Sequence, residues 1–427
     1  MLPGDAGWGE NPPIYVPPGE VAVVVHPETP EQVSAALVFA AAEGLGVTVR
    51  SGGHGGRLFD QDGCVVIDMS HFDRVEVDGR RVRVGTGAVW GDVAMALAFH
   101  DLGLSSGDTK SVGVGGLTLG GGIGWMVRQY GLAIDSLVGA EVVLPSGEIV
   151  RADADQHPDL FWALRGGGGN FGVVTTFEFE AHPLDGVVYG TLTYDVARTA
   201  EVLRGWRDVL RAAPEEFNST LMAMPAMGPG MEPSVQIAVF HPGRVVEVVE
   251  PLLARLRSLP GYLSEDVSAR DYADALEDAH PFEGPMPVIT GDTGFVDDLS
   301  DDAVTTLLGV HASVAGILAV RYLRGAFNRV PADATAWGHR SAEVMVMVAT
   351  FLPPGSPREQ IDEVHAKWEP ARAFADGTYG NFAQEIGDDV IEQMYPPATL
   401  ARLREVKRRY DPQNLLSRNQ NISPAVE

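Results

Sequence analysis

The sequence predicts an α+β protein of two domains, and three observations lead to that fold class. The chain has 427 residues, which is more than one typical domain contains. Three glycine-rich turns lie before residue 183, and none follows that point. From about residue 186 onward, predicted strands alternate with predicted helices, which is the pattern of a second α+β unit. We therefore expect a domain boundary near residue 186.

The composition excludes several classes of partner. A formal net charge of −27 argues against nucleic acid or an anionic membrane, because both attract clustered Lys and Arg. The single cysteine, Cys64, rules out a disulfide framework and a thiolate metal cluster. The sequence shows no secretion signal and no apolar stretch long enough to span a bilayer. We expect a cytoplasmic protein, whose oligomeric state the sequence does not predict.

The first part of the chain predicts an irregular arm, a helix and a strand that enters the first glycine-rich turn. Residues 1–20, which are rich in proline and glycine, predict the arm. Thr29 before a proline predicts a helix start, and Gly44 predicts the helix end. The strand Val47–Arg50 runs directly into the turn 51–56, SGGHGG. A histidine therefore lies at the centre of this turn.

His54 is not expected to be a core residue, because the glycines around it bring no side chains to form a core. Its position is compatible with a metal ligand, a catalytic base, an attachment point or a structural histidine that bonds the loop backbone. The metal interpretation lacks support, since no second histidine lies nearby at ligand spacing and no H-E-x-x-H motif occurs.

The second glycine-rich stretch follows a predicted hairpin and a predicted helix. Residues 75–84 predict a hairpin with an Asp-Gly turn, and Trp90–Asp101 predicts the helix. Seven of the twelve residues from Gly113 to Gly124 are glycine. We expect no packed helix or strand there, because each glycine loses backbone entropy on folding. Rows of backbone N–H groups in such a loop cradle an anion, and the diphosphate of a dinucleotide is the obvious candidate.

Three other interpretations of this stretch fit less well. A flexible linker would be polar, whereas these glycines are interleaved with valine, leucine and isoleucine. A nicotinamide-dinucleotide fingerprint should follow the first strand and open a helix, and residues 125–137 do not predict a clean helix. Residues 103–107 match G-x-S-x-G, but a nucleophile elbow needs a strand before it and a helix after it.

The rest of the chain predicts a further hairpin, a third glycine-rich turn and the second α+β unit. The hairpin covers residues 138–152, and the turn begins at Gly166 and leads into the strand Thr176–Glu180. A last helix is expected within residues 395–410, followed by an irregular tail. The strands predicted beyond residue 186 are Val188–Tyr194, Ser234–Phe240, Ala319–Arg324 and Glu343–Thr350, and the helices are Ala197–Ala212, Val245–Leu259 and Arg358–Phe374.

The predicted strand Glu343–Thr350 carries a candidate general base. Strict alternation places Glu343, Met345 and Met347 on one face and valines on the other. A carboxylate among methionines would be desolvated, which raises its pKa and suits a general base. A solvated Glu343 at the strand end is the alternative.

Three motifs together resemble the berberine-bridge-enzyme-like branch of the vanillyl-alcohol-oxidase flavoproteins. The first is Arg50–His54, and the second is Val112–Gly116 with Gly120–Gly124. The third lies near the C-terminus, from Tyr379-Gly380-Asn381-Phe382 to Asn419-Gln420-Asn421-Ile422. The resemblance extends from about residue 20 to residue 424.

This resemblance implies a fold and a division into domains. It implies a PCMH-type FAD-binding domain formed by residues 1–185 and completed by residues 386–427. An α+β substrate-binding domain with an antiparallel sheet would occupy residues 186–385.

The resemblance also assigns residues to the cofactor. It implies that a ring nitrogen of His54 is joined to the 8α-methyl group of FAD. A second attachment, made by a cysteine in many members, is not expected, because Thr109 occupies that position. A small valine at position 112 goes with access of oxygen to the flavin. The residues that match cofactor-binding positions are Arg50, Ser51, Gly52, Gly53, His54, Gly55, Val112, Gly113, Gly115, Gly116, Thr118, Gly121, Gly122, Gly124, Val174, Tyr379, Asn381 and Asn419.

The resemblance therefore implies an FAD-dependent oxidase without a metal. A hydride would pass from a C–H bond of a small alcohol, sugar, amine or secondary metabolite to the flavin, and oxygen would be reduced to hydrogen peroxide. Glu343 and Tyr379 are the candidate catalytic bases. An oxidative cyclase, desaturase or oxygenating enzyme with the same cofactor is the alternative, and a non-enzymatic flavin-storage protein is a third hypothesis.

Overall fold

Short strands and helices build the first half of the computed structural model, which describes residues 21–55, 63–226, 232–278 and 285–425. The strands are β1 (Val23–Val25), β2 (Gly46–Arg50), β3 (Cys64–Asp68), β4 (Val75–Asp78), β5 (Arg81–Gly85), β6 (Leu102–Gly103), β7 (Leu137–Val143), β8 (Ile149–Asp153), β9 (Val173–Glu180) and β10 (His182–Pro183). The helices are α1 (Pro30–Glu43), α2 (Trp90–Ala98), α3 (Val114–Leu119), α4 (Val127–Tyr130) and α5 (Pro158–Leu164). The arm predicted for residues 1–20 lies outside the described residues.

Longer strands build the second half. They are β11 (Val187–Tyr194), β12 (Asn218–Met224), β13 (Ser234–Pro242), β14 (Tyr262–Arg270), β15 (Val288–Val296), β16 (Ile317–Tyr322), β17 (Val344–Leu352) and β18 (Ala375–Asp376). The helices are α6 (Thr199–Ala212), α7 (Glu250–Arg257), α8 (Asp301–Val314), α9 (Ala326–Arg329), α10 (Arg358–Ala366), α11 (Asp388–Met394) and α12 (Pro397–Tyr410). In the part of the chain that the structure describes, no helix combines the length and the apolar character needed to cross a bilayer.

The strands form sheets of different kinds in the two halves. Strands β1, β3 and β2 pair in parallel, whereas β4, β5, β9, β7 and β8 form an antiparallel sheet in that order. The second half contributes an antiparallel eight-stranded sheet in the order β14-β11-β13-β12-β16-β17-β15-β18. Helices and sheets are therefore mixed as an α+β fold requires, and the predicted class and antiparallel sheet are confirmed.

Helix α1 begins and ends at the predicted signals. The Thr29 hydroxyl accepts a hydrogen bond from the backbone N–H of Gln32 at 3.4 Å, which satisfies one of the unpaired N–H groups of the first turn. Gly44 follows the last helical residue with φ of 67°, a left-handed conformation that glycine adopts without steric cost.

The second glycine-rich stretch contains a helix, and the expectation that it would have none is wrong. Helix α3 forms because tertiary contacts offset the entropy that its glycines lose. The backbone N–H of Val114 donates to Ala88 O at 2.9 Å, and that of Gly115 donates to Thr86 O at 3.0 Å. The side chains of Val114 and Thr118 are fully buried. Packing therefore outweighs helix propensity here.

Strands β12, β14, β15 and helix α8 have no counterpart among the predicted elements. Strand β15 illustrates the reason, since Gly291 and Gly294 lie within it and lower its strand propensity. It nevertheless pairs with β17 along its whole length. Pairing with a distant strand, which a local pattern does not contain, decides its conformation.

Core side chains from the two halves meet beneath the glycine-rich loops. Trp125 of the first half stacks on Phe240 of β13 with ring centroids 6.1 Å apart, and it meets Tyr189 of β11 edge-on at 5.2 Å. All three belong to one buried cluster. This shared core crosses the domain boundary predicted between residues 185 and 186. The boundary itself stays a prediction.

A buried ion pair fastens the C-terminal segment to the third glycine-rich turn. Lys407 of α12 is fully buried and donates to Asp411 Oδ2 at 2.7 Å, to Asn170 O at 2.8 Å and to Leu416 O at 3.0 Å. Asp411 in turn accepts the backbone N–H groups of Leu415 and Leu416 at 2.9 Å. The ammonium group of Lys407 and the carboxylate of Asp411 are thus both hydrogen-bonded to several partners, as a stable buried ion pair requires.

We predict that Lys407→Met lowers the free energy of unfolding by about 3–5 kcal/mol, because Asp411 is left as a buried charge without its partner. Chemical denaturation followed by circular dichroism measures this change. Arg408→Met, on the exposed side of the same helix, is the matched control and should cost less than about 1 kcal/mol. Equal losses in the two variants would contradict the assignment.

Candidate functional site

A cavity of about 890 Å³ lies between the glycine-rich turns and the eight-stranded sheet. All three turns line one end of it, through residues 50–55 and through most of the residues in 112–120 and 166–173. Strands β15 and β17 line the other end. Ligand pockets of proteins typically measure about 300–1,000 Å³, so the cavity is large enough for a sizeable cofactor with a small substrate beside it.

The first two turns pack backbone against backbone at the cavity wall. A Cβ atom on Gly52 would overlap the backbone of Gly113, and one on Gly113 would overlap Ser51. The Ser51 hydroxyl donates to Thr86 O at 2.6 Å, which holds the first turn in place. Glycine is required at both contact positions because no side chain fits between the chains.

Most of the residues predicted to bind a cofactor line this cavity. A Cβ atom on Gly116 would meet no atom within 4 Å, so this glycine faces open space in the cavity. The predicted residues that line the cavity are Arg50, Ser51, Gly52, Gly53, His54, Gly55, Val112, Gly113, Gly115, Gly116, Val174, Tyr379, Asn381 and Asn419.

Four predicted cofactor residues lie behind the cavity wall instead. Thr118 is fully buried, and Gly121, Gly122 and Gly124 do not line the cavity. A Cβ atom on Gly124 would overlap Ser106 O, and one on Gly121 would overlap the ring of Trp337. These glycines therefore permit close packing within the protein, and the contact predicted between these four residues and a cofactor stays a prediction.

His54 lies half-buried at the cavity wall. Its Nε2 atom is 2.8 Å from the hydroxyl oxygen of Ser111. Burial lowers the pKa of His54, and the negative charge of Asp108 offsets part of that effect. The ring is therefore neutral at pH 7, and a neutral imidazole retains a nitrogen lone pair that can form a bond.

An ion pair that the sequence analysis missed joins the second glycine-rich stretch to the large sheet. Arg321 of β16 donates to the Asp108 carboxylate, to the Thr220 hydroxyl at 3.1 Å and to Ile123 O at 3.3 Å. Burial opposes ionisation of Asp108, but Arg321 outweighs it and lowers the pKa of this carboxyl group. The two residues are 213 apart in sequence, so no local motif could have paired them.

Tyr379 and Asn381 form a hydrogen-bonded group between the two ends of the cavity. The Tyr379 hydroxyl accepts the backbone N–H of Ile123 at 3.3 Å and the Asn381 side-chain N–H at 3.0 Å. The backbone N–H of Tyr379 donates to the Thr293 hydroxyl of β15 at 2.9 Å. Burial raises the pKa of Tyr379, so the phenol keeps its proton at neutral pH. Because the oxygen accepts these two hydrogen bonds, the phenol also retains its O–H as a donor.

Glu343 does not line the cavity, and its prediction as a base beside the methionines is wrong. The residue precedes β17, so the strand alternation does not reach it. Its carboxylate accepts both Arg211 Nε–H and Nη2–H at 2.7 Å, the Leu299 N–H at 2.7 Å and the Tyr322 hydroxyl at 3.2 Å. Burial opposes ionisation, but Arg211 prevails and lowers the pKa of Glu343. This carboxylate is a structural ion-pair partner.

His365 of α10 links two carboxylates next to the cavity. Its Nδ1 atom lies 2.9 Å from Asp292 of β15, and its Nε2 atom lies 3.6 Å from Glu385. The hydrogen bonds to these carboxylates raise the pKa of His365 to about 9. The Glu385 backbone oxygen accepts the side-chain N–H of Gln420 at 2.9 Å. The cluster therefore ties the segment that carries Asn381 to both β15 and the C-terminal tail.

Comparison with known protein families matches two parts of the chain. A family model described as "FAD binding domain" matches residues 21–153. A second one, described as "Berberine and berberine like", matches residues 378–423. The first match contains the first two glycine-rich turns and the second contains Tyr379, so both cover the cavity residues described above.

Named relatives span nearly the whole chain. (R)-6-hydroxynicotine oxidase of Paenarthrobacter nicotinovorans is 28% identical over 415 residues, which are 92% of this chain and 89% of that protein. The chitooligosaccharide oxidase of Gibberella zeae is 28% identical over 467 residues, with 99% and 91% covered. The crystal structure of 6-hydroxy-D-nicotine oxidase from Arthrobacter nicotinovorans superposes with a TM-score of 0.87 at 27% identity, covering 100% of this chain and 97% of that one. These relatives are oxidases and do not favour the cyclase alternative.

The His365 cluster predicts a stability that depends on pH. Because the folded-state pKa of about 9 lies above the ordinary value of about 6.5, the cluster stabilises the fold fully below about pH 6.5. That stabilisation is lost as the pH rises through about 9. Water reaches 19% of the His365 side chain and screens part of the interaction, so we expect about 1–2 kcal/mol at low pH.

Chemical denaturation of wild type and His365→Gln across this pH range measures the effect. The difference in unfolding free energy should shrink as the pH rises through about 9. His100→Gln, at an exposed histidine, is the control and should show no such trend. A difference between wild type and His365→Gln that stays constant with pH would count against the charged cluster.

Proposed function

We propose that the chain is a berberine-bridge-enzyme-like FAD-linked oxidase, in keeping with the two family models and the relatives that match it. The protein binds FAD through a single bond to His54, oxidises a small molecule at a C–H bond and uses molecular oxygen as electron acceptor. The observation that carries the proposal is the cavity itself. It joins His54 in its glycine-rich turn to Tyr379 and to the face of the large sheet.

The residues at the glycine-rich end fit an FAD molecule. A Cβ atom on Gly168 or Gly169 would meet no atom closer than 3.5 Å, so these glycines, like Gly116, leave room for a ligand against the backbone. The side-chain oxygens of Asn419 and Gln420 are buried without a hydrogen-bond partner, and both residues line the cavity. Polar groups left in this way at a cavity wall are suited to a polar ligand.

A single attachment point is supported by the position of the cysteine. Thr109 lines the cavity, and its hydroxyl lies 3.2 Å from Asp108 Oδ1. Threonine has no sulfur atom, so this residue cannot form the thioether that a cysteine at the same position would form. Cys64 is buried on β3 and does not line the cavity. The neutral ring of His54 at the cavity wall supports it as the proposed attachment point.

FAD, when bound, accepts a hydride from a substrate C–H bond and passes the electrons to oxygen, which leaves as hydrogen peroxide. The protein contributes position and electrostatics. Tyr379 holds its proton because burial raises its pKa, and its O–H is free to donate to the heteroatom beside the reacting carbon. Asn381 and the Ile123 N–H fix the direction of that hydroxyl. Val112, a small side chain at the cavity wall, leaves space for oxygen.

We predict that Gly116→Val yields a folded protein with little bound flavin. The added side chain meets no protein atom within 4 Å of its Cβ and occupies cavity space instead. The ratio of visible to ultraviolet absorbance of the purified variants measures flavin content. Gly309→Val is the control and should keep its flavin. A Cβ atom on Gly309 also meets no atom within 4 Å, but this glycine lies on the surface of α8. Full flavin content in Gly116→Val would place the cofactor elsewhere.

We predict that Tyr379→Phe slows substrate oxidation by about 100-fold or more, the scale of a positioned proton-transfer or donor group, while flavin content stays unchanged. The assay measures anaerobic bleaching of the flavin by an active substrate and release of hydrogen peroxide in air. Tyr194→Phe is the control, because it also removes a buried tyrosine hydroxyl, in this case one that donates to Leu256 O. If no small molecule bleaches a flavin-loaded preparation, the oxidase function is wrong. If a substrate does bleach the flavin but Tyr379→Phe keeps full activity, only the role assigned to Tyr379 is wrong.

A further inference from the structure

The face of the large sheet that closes the cavity is identified by strand register. Ile289, Gly291 and Thr293 of β15 pair with Phe351, Ala349 and Met347 of β17, and residues paired in this way project on the same face. The alternate residues of β17, which are Val344, Val346 and Val348, lie in the core with the helices behind the sheet. The first set therefore faces the cavity.

The part of this face that lines the cavity is mostly apolar, with Thr293 among its side chains. Ile289, Ile317, Met347, Ala349 and Phe351 line the cavity, and each is only half-buried, which leaves part of its side chain open to a ligand. The Thr293 hydroxyl is already engaged, since it accepts the Tyr379 N–H at 2.9 Å and lies 2.8 Å from the Thr378 hydroxyl.

The acidic residues at the cavity wall are also engaged. Asp108 is paired with Arg321 and Asp292 with His365. Neither carboxylate is therefore available as the sole counter-ion of a charged substrate. Tyr379, whose O–H is free to donate, provides a polar contact at the edge of the apolar wall.

This arrangement discriminates between two substrate classes. Each sugar hydroxyl that is desolvated against an apolar wall without a partner costs about 1–3 kcal/mol, and a saccharide presents several. A flat aromatic ring instead gains about 25 cal/mol for each Å² of apolar surface buried, and a methionine sulfur contacts aromatic rings favourably.

We propose that the substrate is a neutral aromatic or heteroaromatic compound with one hydroxyl or amino group next to the oxidised C–H bond, and not an oligosaccharide. The inference rests on the proposed function. The ring lies against Met347, Ala349 and Phe351, and the heteroatom accepts a hydrogen bond from the Tyr379 hydroxyl. The C–H bond breaks as its hydride passes to the flavin, and the proton of the heteroatom passes to solvent water, so that an alcohol becomes a carbonyl compound and an amine becomes an imine. Oxygen then takes up the two electrons with two protons and leaves as hydrogen peroxide.

Two probes test the proposal on flavin-loaded protein. Benzyl alcohol and xylobiose are titrated separately, and binding is followed by the change in the visible flavin spectrum and in the thermal unfolding midpoint. Benzyl alcohol should bind at least tenfold more tightly than xylobiose. Tighter binding of xylobiose, or binding of neither probe, overturns the proposal.

Substitutions at Met347 test the same wall. Met347→Gln should weaken benzyl alcohol binding by about tenfold, because a polar amide then faces the ring without a partner. Met347→Leu, which keeps an apolar side chain of similar volume, should weaken binding of the probe less than Met347→Gln does. Met95→Gln, at a half-exposed methionine on α2, is the distant control. Equal affinity in Met347→Gln and wild type overturns the proposal.

These outcomes are separable from failure of the proposed function. A folded preparation without flavin, or a flavin that no small molecule reduces, would defeat the oxidase function itself. A flavin that is present and that xylobiose, but not benzyl alcohol, reduces would leave the function standing and defeat only the substrate class.

Discussion

The site depends on one close contact, that of the turn around Gly52 against the backbone at Gly113. A Cβ atom at either position would overlap the other chain, so the two turns approach only because both residues are glycine. The contact lies next to His54 and to the start of helix α3. It therefore fixes the histidine beside the glycine-lined end of the cavity, which is the proposed FAD site.

A second constraint closes the cavity from the side of the large sheet. Arg321 projects from β16 to Asp108, which lies in the loop before the second glycine-rich stretch. The same guanidinium donates to Ile123 O, and the N–H of Ile123 donates to Tyr379. One ion pair thus sets the distance between the glycine-rich turns and the sheet, and it connects the groups at both ends of the cavity.

The sequence predicted those features that local residues decide. The cap at Thr29, the stop at Gly44 and the turn around His54 follow from backbone preferences of neighbouring residues, and the structure confirms the helix between the caps. Helix α3 and strand β15 did not follow, because packing and long-range pairing overcome their glycines. Glu343 was misplaced because alternation was extended one residue beyond the strand, and Asp108 was missed because its partner Arg321 is 213 residues away.

The central claim is that His54 carries the FAD of this oxidase, and peptide mass spectrometry tests it most directly. Trypsin cleaves after Arg50 and Arg57, which releases residues 51–57 with His54 as their only histidine. We expect this peptide, from yellow preparations of the wild-type protein, to be heavier by the mass of FAD less two hydrogen atoms, because the bond replaces one ring N–H and one methyl C–H. An unmodified 51–57 peptide from a yellow preparation, or FAD on a peptide without His54, would contradict the claim.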